Sequence, residues 1–597
     1  MSGFSRDARG VSYRLKNLKG GSPEKYETGD FGGENTSSAV NAVCRAGKLC
    51  SITPPTIDFT TDTQYGASRV MTGESAEGNV ELIRVGQYIY GRVGGGAPVR
   101  LNGITLADDR NVILRMGGAF YVITGMSIYK INDSLAVSRV EPRVPQLYRS
   151  LAIDAPDVPA FREEPNALTD YVDINYAVGS SSTTMIFVPD TINVASIEYV
   201  KVGTSTYTRT YTLVSGGTRK KAVSFTDGIS GNVTIRFKLS STASDGTLSL
   251  SDFATVRNAL LRARYVVKYQ PVGDYSLMLG TCGYDKKFYV IGISDMAYVT
   301  TDSAVSASVE QTPTAAVNYG DGTLIFTEKR ILFAVVSGGG VISTGVDINI
   351  SVLKRDFGCD APRAAVSFDD KIFFLSSDFG VFYLDKFGYA ERDGSCPISL
   401  PVREELLSHT KAELKDAVAA CTSSALYICV GDDVYMYKYA DMLPSSPGES
   451  EEKQRRYFWS KLSALCVEGF ISSRGATLSY LERESGNVMI FDGAKEPSQN
   501  DAAGAYYEFM PTSLDSTAEK VMQKLVVSAK FYGNATLTVK YDGAPTGYSF
   551  TLTPSECAGC ETYIIRAPRD RFVTASVCIG SESGMTLSGV ELYYFTV

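Results

Sequence analysis

Short apolar runs recur along this chain in pairs, each pair split by a small turn rich in Gly, Asp or Asn. The first is Val80-Glu-Leu-Ile-Arg-Val-Gly-Gln-Tyr-Ile-Tyr90. The second is Asn111-Val-Ile-Leu-Arg-Met-Gly-Gly-Ala-Phe-Tyr-Val-Ile-Thr124, leading into Ser127-Ile-Tyr-Lys-Ile131. After a long interruption the pattern returns at residues 277–299, 315–336, 364–384, 425–437 and 476–491. That makes about seven units, spaced by roughly 30 to 55 residues once the interruption is removed, which is the range of propeller blades. A single unit has two apolar faces, and radial stacking buries both while leaving only short edges. The pattern predicts a mainly β fold with an about seven-bladed β-propeller at its centre.

Two stretches lie outside the repeat. Between residues 165 and 268, the segments 184–188, 196–202, 206–213 and 232–239 alternate with period two and are divided by Gly, Ser and Asp turns. They predict an inserted immunoglobulin-like β-sandwich, followed by a short helix with Val256, Leu260 and Leu261 on one face. Residues 501–597 predict a C-terminal β-sandwich built from 524–530, 536–541, 548–552, 572–578 and 590–597. The resulting plan is an N-terminal arm and lead-in (1–70), the first blades (71–164), the inserted sandwich with its helix (165–268), the remaining blades (269–500) and the terminal sandwich (501–597). Within the blades, residues 401–420 predict one amphipathic helix, with Pro401 at its start and Leu406, Leu407, Leu414 and Val418 apolar. Residues 445–456 read as a charged linker.

Composition strengthens the β reading, because 55 Gly, 36 Tyr and 27 Phe accompany many Val, Thr and Ser. The balance of 66 acidic against 58 basic residues gives a net charge of −8, which disfavours sequence-specific DNA binding. The first residues lack the apolar stretch of a secretory signal, and no apolar run reaches the about 18 residues of a membrane span. Synthesis in a cytoplasm, with no membrane segment, is the expectation. Eleven scattered cysteines fit that compartment as buried thiols. Cys557-Ala-Gly-Cys560 with Cys578 offers three thiols where a structural zinc takes four ligands, so it reads as a turn.

The single histidine, His409, is expected to be solvated on a helical surface, and its isolation excludes multi-histidine metal sites and leaves little room for a triad. Trp459 is the only tryptophan, whereas sugar-binding clefts commonly use several broad aromatic faces; tyrosine can substitute. The glycine clusters at 94–96, 216–217 and 338–340 lack P-loop and dinucleotide-binding spacing and read as hairpin turns. Asp369-Asp370 and Asp432-Asp433 read as hairpin tips rather than an acid/base pair. Arg219-Lys220-Lys221 and residues 453–456 read as solvent-facing or subunit-interface charges. No catalytic, cofactor-binding or metal-ligating residue emerges, and the expectation is a non-enzyme without cofactors.

Several short motifs together resemble the propeller-containing tail-tube proteins of tailed bacteriophages, the nozzle and packaged-DNA stabilisation type. They are Asn41-Ala-Val-Cys-Arg-Ala-Gly47-Lys-Leu49, Asn166-Ala-Leu-Thr169, residues 322–333, Phe357-Gly-Cys-Asp-Ala-Pro362 running into 372–375, Gly486-Asn-Val-Met-Ile-Phe-Asp492 and Lys540-Tyr-Asp-Gly543. The usual Asn-rich start is poorly kept. The resemblance implies a structural protein of the virion tail, made in the bacterial cytoplasm. It would assemble as a ring, hexameric by analogy, below the portal and adaptor, contact other tail proteins, retain packaged DNA and conduct the duplex without sequence preference. A mildly acidic wall suits passage better than a basic one, which would hold phosphates. Two alternatives belong to other classes: a receptor- or carbohydrate-binding propeller of a virion or cell surface, and a propeller glycosidase or lyase with two converging carboxylates.

Overall fold

In the computed structural model of the chain, the described residues are 11–15, 36–45, 48–61, 73–75, 80–85, 87–104, 106, 112–149, 160–161, 163–189, 192–216, 219–241, 250–272, 275–281, 285–300, 304–320, 322–337, 347–368, 371–384, 397–399, 402–439, 458–498, 500–509, 511, 513–514, 517–555 and 559–597. They are mainly β. The chain divides into two compact units, Met1–Arg100 with Phe326–Ile331 and Val352–Val597, and Leu101–Ile325 with Leu332–Ser351.

The first unit contains four small antiparallel meanders. One comprises Gly73–Ser75, Val80–Val85, Tyr88–Val93 and Val99–Arg100; the next has Ala365–Phe368, Lys371–Ser376 and Gly380–Leu384. A third runs Val418–Cys421, Ala425–Val430, Asp433–Lys438 and Phe458–Lys461, and a fourth Val467–Arg474, Thr477–Glu482 and Asn487–Asp492. The fourth gains an outer strand from the other end of the chain, because Thr56–Thr60 pairs antiparallel with Asn487–Asp492. Inner strands are buried on both faces: every residue of Ala425–Val430 is buried, as are Ile372 to Ser376. Such strands read as continuous apolar runs, since neither side meets water.

Two further sheets of this unit form the terminal sandwich. One has the order Ala42–Arg45, Lys48–Ser51, Met585–Thr596, Lys520–Phe531, Glu561–Arg566. The other runs Thr36–Val40, Ala505–Phe509, Ala575–Ser581, Ala535–Tyr541, Tyr548–Leu552, and continues through a parallel contact of Val40 with Lys461 into the third meander. Their alternating inward residues, Leu525, Val527 and Leu587 from one sheet and Leu537, Val577 and Ile579 from the other, share one core. The strands Thr36–Val40, Ala42–Arg45 and Lys48–Ser51, placed by sequence in an N-terminal arm, belong to this sandwich.

The second unit holds the meander Val112–Met116, Ala119–Ile123, Ile128–Ile131, Val137–Arg139, a second of Tyr265–Val272, Tyr275–Thr281, Lys287–Ile293, Ala304–Ser308, and most of a third spanning residues 313–354. Here the structure departs from the expected immunoglobulin-like insert. The strands join one hydrogen-bonded sheet in the order Ala160–Phe161, Gln146–Arg149, Tyr171–Phe187, Arg219–Leu239, Val194–Val202, Ser205–Thr206, with Tyr211–Gly216 also on Arg219–Leu239. Residues 179–182, Gly-Ser-Ser-Ser, look like a turn but lie inside the 17-residue strand Tyr171–Phe187, at a register shift between Val178 and Thr183. A bulge of this kind bends a strand without ending it. The helix Leu250–Leu261 follows as expected and buries Phe253, Val256, Ala259 and Leu260 against this sheet's core, with Leu261 half-buried.

The single helix expected over 401–420 is also corrected. It is two short turns, Arg403–Leu406 and Lys411–Lys415, after which Val418–Cys421 is a strand. Thr410 restarts the helix through a capping box with Glu413: its side chain accepts from the Glu413 amide, and the Glu413 carboxylate accepts from the Thr410 amide. Leu406 and Leu414 still point inward.

Candidate functional site

Three of the singled-out motifs, those at Asn41, Asn166 and residues 357–360, are built as buried brackets. Asn41, at a φ of 51°, is 6 % exposed; its side chain donates to the Ser463 hydroxyl and the Gly504 carbonyl, both at 2.9 Å, and accepts from the Ala464 amide at 3.0 Å. Asparagine tolerates this left-handed backbone better than most residues. Asn166, 1 % exposed, plays the same part in the other unit: it donates to the Arg143 and Ala297 carbonyls and accepts from the Leu168 and Val299 amides. Each amide side chain supplies the hydrogen bonds that irregular backbone lacks.

The segment 357–362 is built likewise. Phe357 stacks on Phe382 with centroids 4.5 Å apart, and the Asp360 carboxylate accepts from the amide and hydroxyl of Ser377. Gly358 passes so close to the hairpin at 327–330 that a Cβ would collide with the Thr327 carbonyl oxygen and the Arg330 backbone. Burial pushes the Cys359 thiol up to about 12.

His409 is not the solvated residue the sequence suggests. Its side chain is 15 % exposed and stands in a polar cluster, with Nε2 3.3 Å from the Tyr435 hydroxyl and 3.4 Å from Asp433. Lys461 Nζ donates to Asp433 and to Glu405, both at 2.8 Å. Burial raises the Tyr435 pKa, and Glu405 and Asp433 raise it further, so the phenol stays protonated. Burial opposes the Lys461 charge, but the bonds to Asp433 and Glu405 outweigh it and hold its pKa above the ordinary lysine value. A protonated phenol and a charged amine are not bases, and Lys461 pairs with both carboxylates. The cluster fastens the 403–415 turns to the strands Asp433–Lys438 and Phe458–Lys461. Only the tertiary fold brings these residues together, so no spacing in the sequence could have revealed them.

The other candidates fall apart as a site. Asp432 and Asp433 stand at a hairpin tip as expected, with Asp432 paired to Arg483. Trp459 is buried, stacked 5.2 Å from Tyr437, and donates from Nε1 to the Ile398 carbonyl. Cys560 is exposed beside Ser588 while Cys578 is buried, and among the described residues no group of His, Cys, Asp and Glu is arranged to hold a metal. Gly94 and Gly95 adopt positive φ in a turn, as expected. Cys557, Gly217, Gly338–Gly340, Asp369–Asp370 and residues 453–456 lie outside the described residues, as do the side chains of Arg219 and Lys220; Lys221 donates to the Val194 carbonyl. In the second unit, Arg236 forks onto the buried Asp173 with two bonds of 2.7 Å and lies 4.7 Å from the Tyr199 ring centroid.

No known family profile matches the sequence, and no curated protein matches it. Similar solved structures include the computationally designed protein Ika8, at TM-score 0.30 and 8 % identity over 73 % of this chain and 99 % of that one. Another is PorZ, a surface component of the type-IX secretion system of Porphyromonas gingivalis, at TM-score 0.31 and 10 % identity over 84 % of this chain and 46 % of that one. The β-propeller domain of Nup133 from Vanderwaltozyma polyspora is a third, at TM-score 0.25 and 9 % identity over 75 % and 99 % of the two chains.

Proposed function

We propose that this chain is a non-enzymatic structural subunit of a bacteriophage tail tube of the nozzle type, in which seven meanders stand as the blades of one β-propeller. The observation that carries the propeller is the pairing of Thr56–Thr60 with Asn487–Asp492. A strand from near the start of the repeat completes its final sheet, which ties the two ends of the repeat and removes an open edge. Inner strands buried on both faces support it, because a blade between two neighbours has no solvent side.

The tail role rests on the motifs Asn41–Leu49, Asn166–Thr169 and Phe357–Pro362. In the structure, Asn41, Asn166 and the 357–360 segment are buried brackets rather than groups presented to a ligand. In this reading the subunit closes into a ring below the portal and adaptor, retains packaged DNA and conducts it on ejection, with the net acidity keeping phosphates from sticking.

The test is made in infected cells: antibody raised against the chain labels the tail of intact virions, and mutants lacking the protein yield heads that lose their DNA. Labelling of a host surface with virions unlabelled would overturn the proposal.

A further inference from the structure

The terminal sandwich carries a cleft of about 610 Å³ beside the strand Tyr548–Leu552, the last in its sheet. It is lined by Tyr541, Asp542, Thr546, Tyr548, Asp570 and Arg571, among others. Its floor is fixed. Tyr541 stacks on Phe572 with centroids 4.6 Å apart and planes 11° from parallel. Asp542, at a φ of 47°, accepts from the amides of Val573 at 2.9 Å and Thr574 at 2.7 Å, which pins the turn to the neighbouring strand. Gly547 then passes so near Val539 that a Cβ would collide with that residue's carbonyl oxygen.

Against this rigid floor stands Tyr548, 42 % exposed, its ring 6.0 Å from that of Tyr541 and tilted by 55°. Its hydroxyl donates to Asp570, which also lines the cleft. Among the described residues, the Arg571 side chain is engaged by one exposed pair, with Glu519 at 3.2 Å, which contributes little and is readily exchanged. The cleft therefore presents an open aromatic face, a carboxylate that accepts, a guanidinium that donates and the Thr546 hydroxyl, which does both.

Charges of both signs disfavour a strongly anionic or cationic ligand, and the polar rim disfavours an apolar one. A sugar ring meets all the requirements: its C–H face packs on a tyrosine ring while its hydroxyls donate to a carboxylate and accept from an arginine. The volume lies within the range of small-molecule sites. We propose that this cleft is a saccharide-binding site for a neutral hexose unit of a glycan.

The full chain is applied to a glycan array and titrated with neutral monosaccharides and oligosaccharides by calorimetry, beside Tyr548→Ala, Tyr548→Phe and Asp570→Asn. Binding of a neutral hexose, free or within a polymer, weakened roughly tenfold by Tyr548→Ala and largely kept by Tyr548→Phe, is the expected result. Equal affinity for the single sugar and the polymer identifies the free sugar as sufficient; a gain with chain length identifies a polysaccharide, and either supports the site. Unchanged emission of the buried Trp459 certifies that each variant is folded. No neutral glycan bound by the wild type, or binding untouched by Tyr548→Ala, overturns the proposal. The readout does not depend on assembly state, so its failure leaves the tail-tube reading standing.

Discussion

Phe59 lies directly opposite Val488 across the ladder that joins Thr56–Thr60 to Asn487–Asp492, although the two are separated by most of the chain. Phe59 packs against a small core of Ile83, Val85, Tyr90, Ile471, Leu481 and Val488, with its ring 5.6 Å from that of Tyr90. The contact joins the first meander of the repeat to the last through apolar burial. Phe59→Ala should therefore cost roughly 1–3 kcal/mol. In a double-mutant cycle with Val488→Ala, urea denaturation should give a coupling of about 0.5 kcal/mol or more. Strict additivity would mean that the strand contributes no specific closure.

Gly358→Ala should be severely destabilising, by about 3 kcal/mol or more, because the added methyl meets backbone on the Thr327–Arg330 hairpin and not a side chain that can turn away. Gly543→Ala is the informative control. That glycine has a positive φ but open space around it, so only conformational strain of about 1 kcal/mol is expected. Thermal unfolding of the two variants separates a steric from a backbone effect.

The Lys461 cluster makes a pH prediction. Its folded pKa is raised, so its contribution is fully present below the unfolded lysine value of about 10.4 and is lost as pH rises through the folded value. Lys461→Met should be less stable than wild type at neutral pH, and the gap should narrow only above about pH 10. Denaturant titrations across that range give the answer directly.

Thiol reactivity should follow burial. Cys560 is exposed and should alkylate readily in the native protein. Cys359 and Cys429, each pushed up to about 12 by burial, and Cys421, raised further by the same cause, should react only after unfolding. Mass spectrometry of labelled peptides distinguishes the two groups.

Much of the β architecture was legible because paired apolar runs are a local signal. Each of the seven runs, from Val80–Tyr90 to residues 476–491, contains strands where the pattern placed them. What failed was non-local. Nothing in Thr36–Ser51 announces that it pairs with strands near residues 505 and 585, since register is set by partners rather than by the segment itself. Ser180–Ser182 carries turn chemistry yet is held extended by neighbouring strands, which is why two predicted sheets are one. The helix over 401–420 was broken by Thr410, whose capping box outweighed an unbroken apolar stripe. His409 was misplaced for a related reason: Tyr435, Asp433 and Lys461 reach it only through tertiary packing. The Tyr548 cleft was equally hidden, because Tyr541, Tyr548 and Asp570 belong to separate strands and loops.

The central claim is assembly into an open ring, and the most direct measurement is the mass of the purified chain by light scattering, alone and with candidate portal or adaptor proteins, with negative-stain images of the same samples. The account predicts closed rings of about six copies around an open lumen, formed alone or on the partner. A chain that stays monomeric under both conditions, with no affinity for head–neck components, would contradict it.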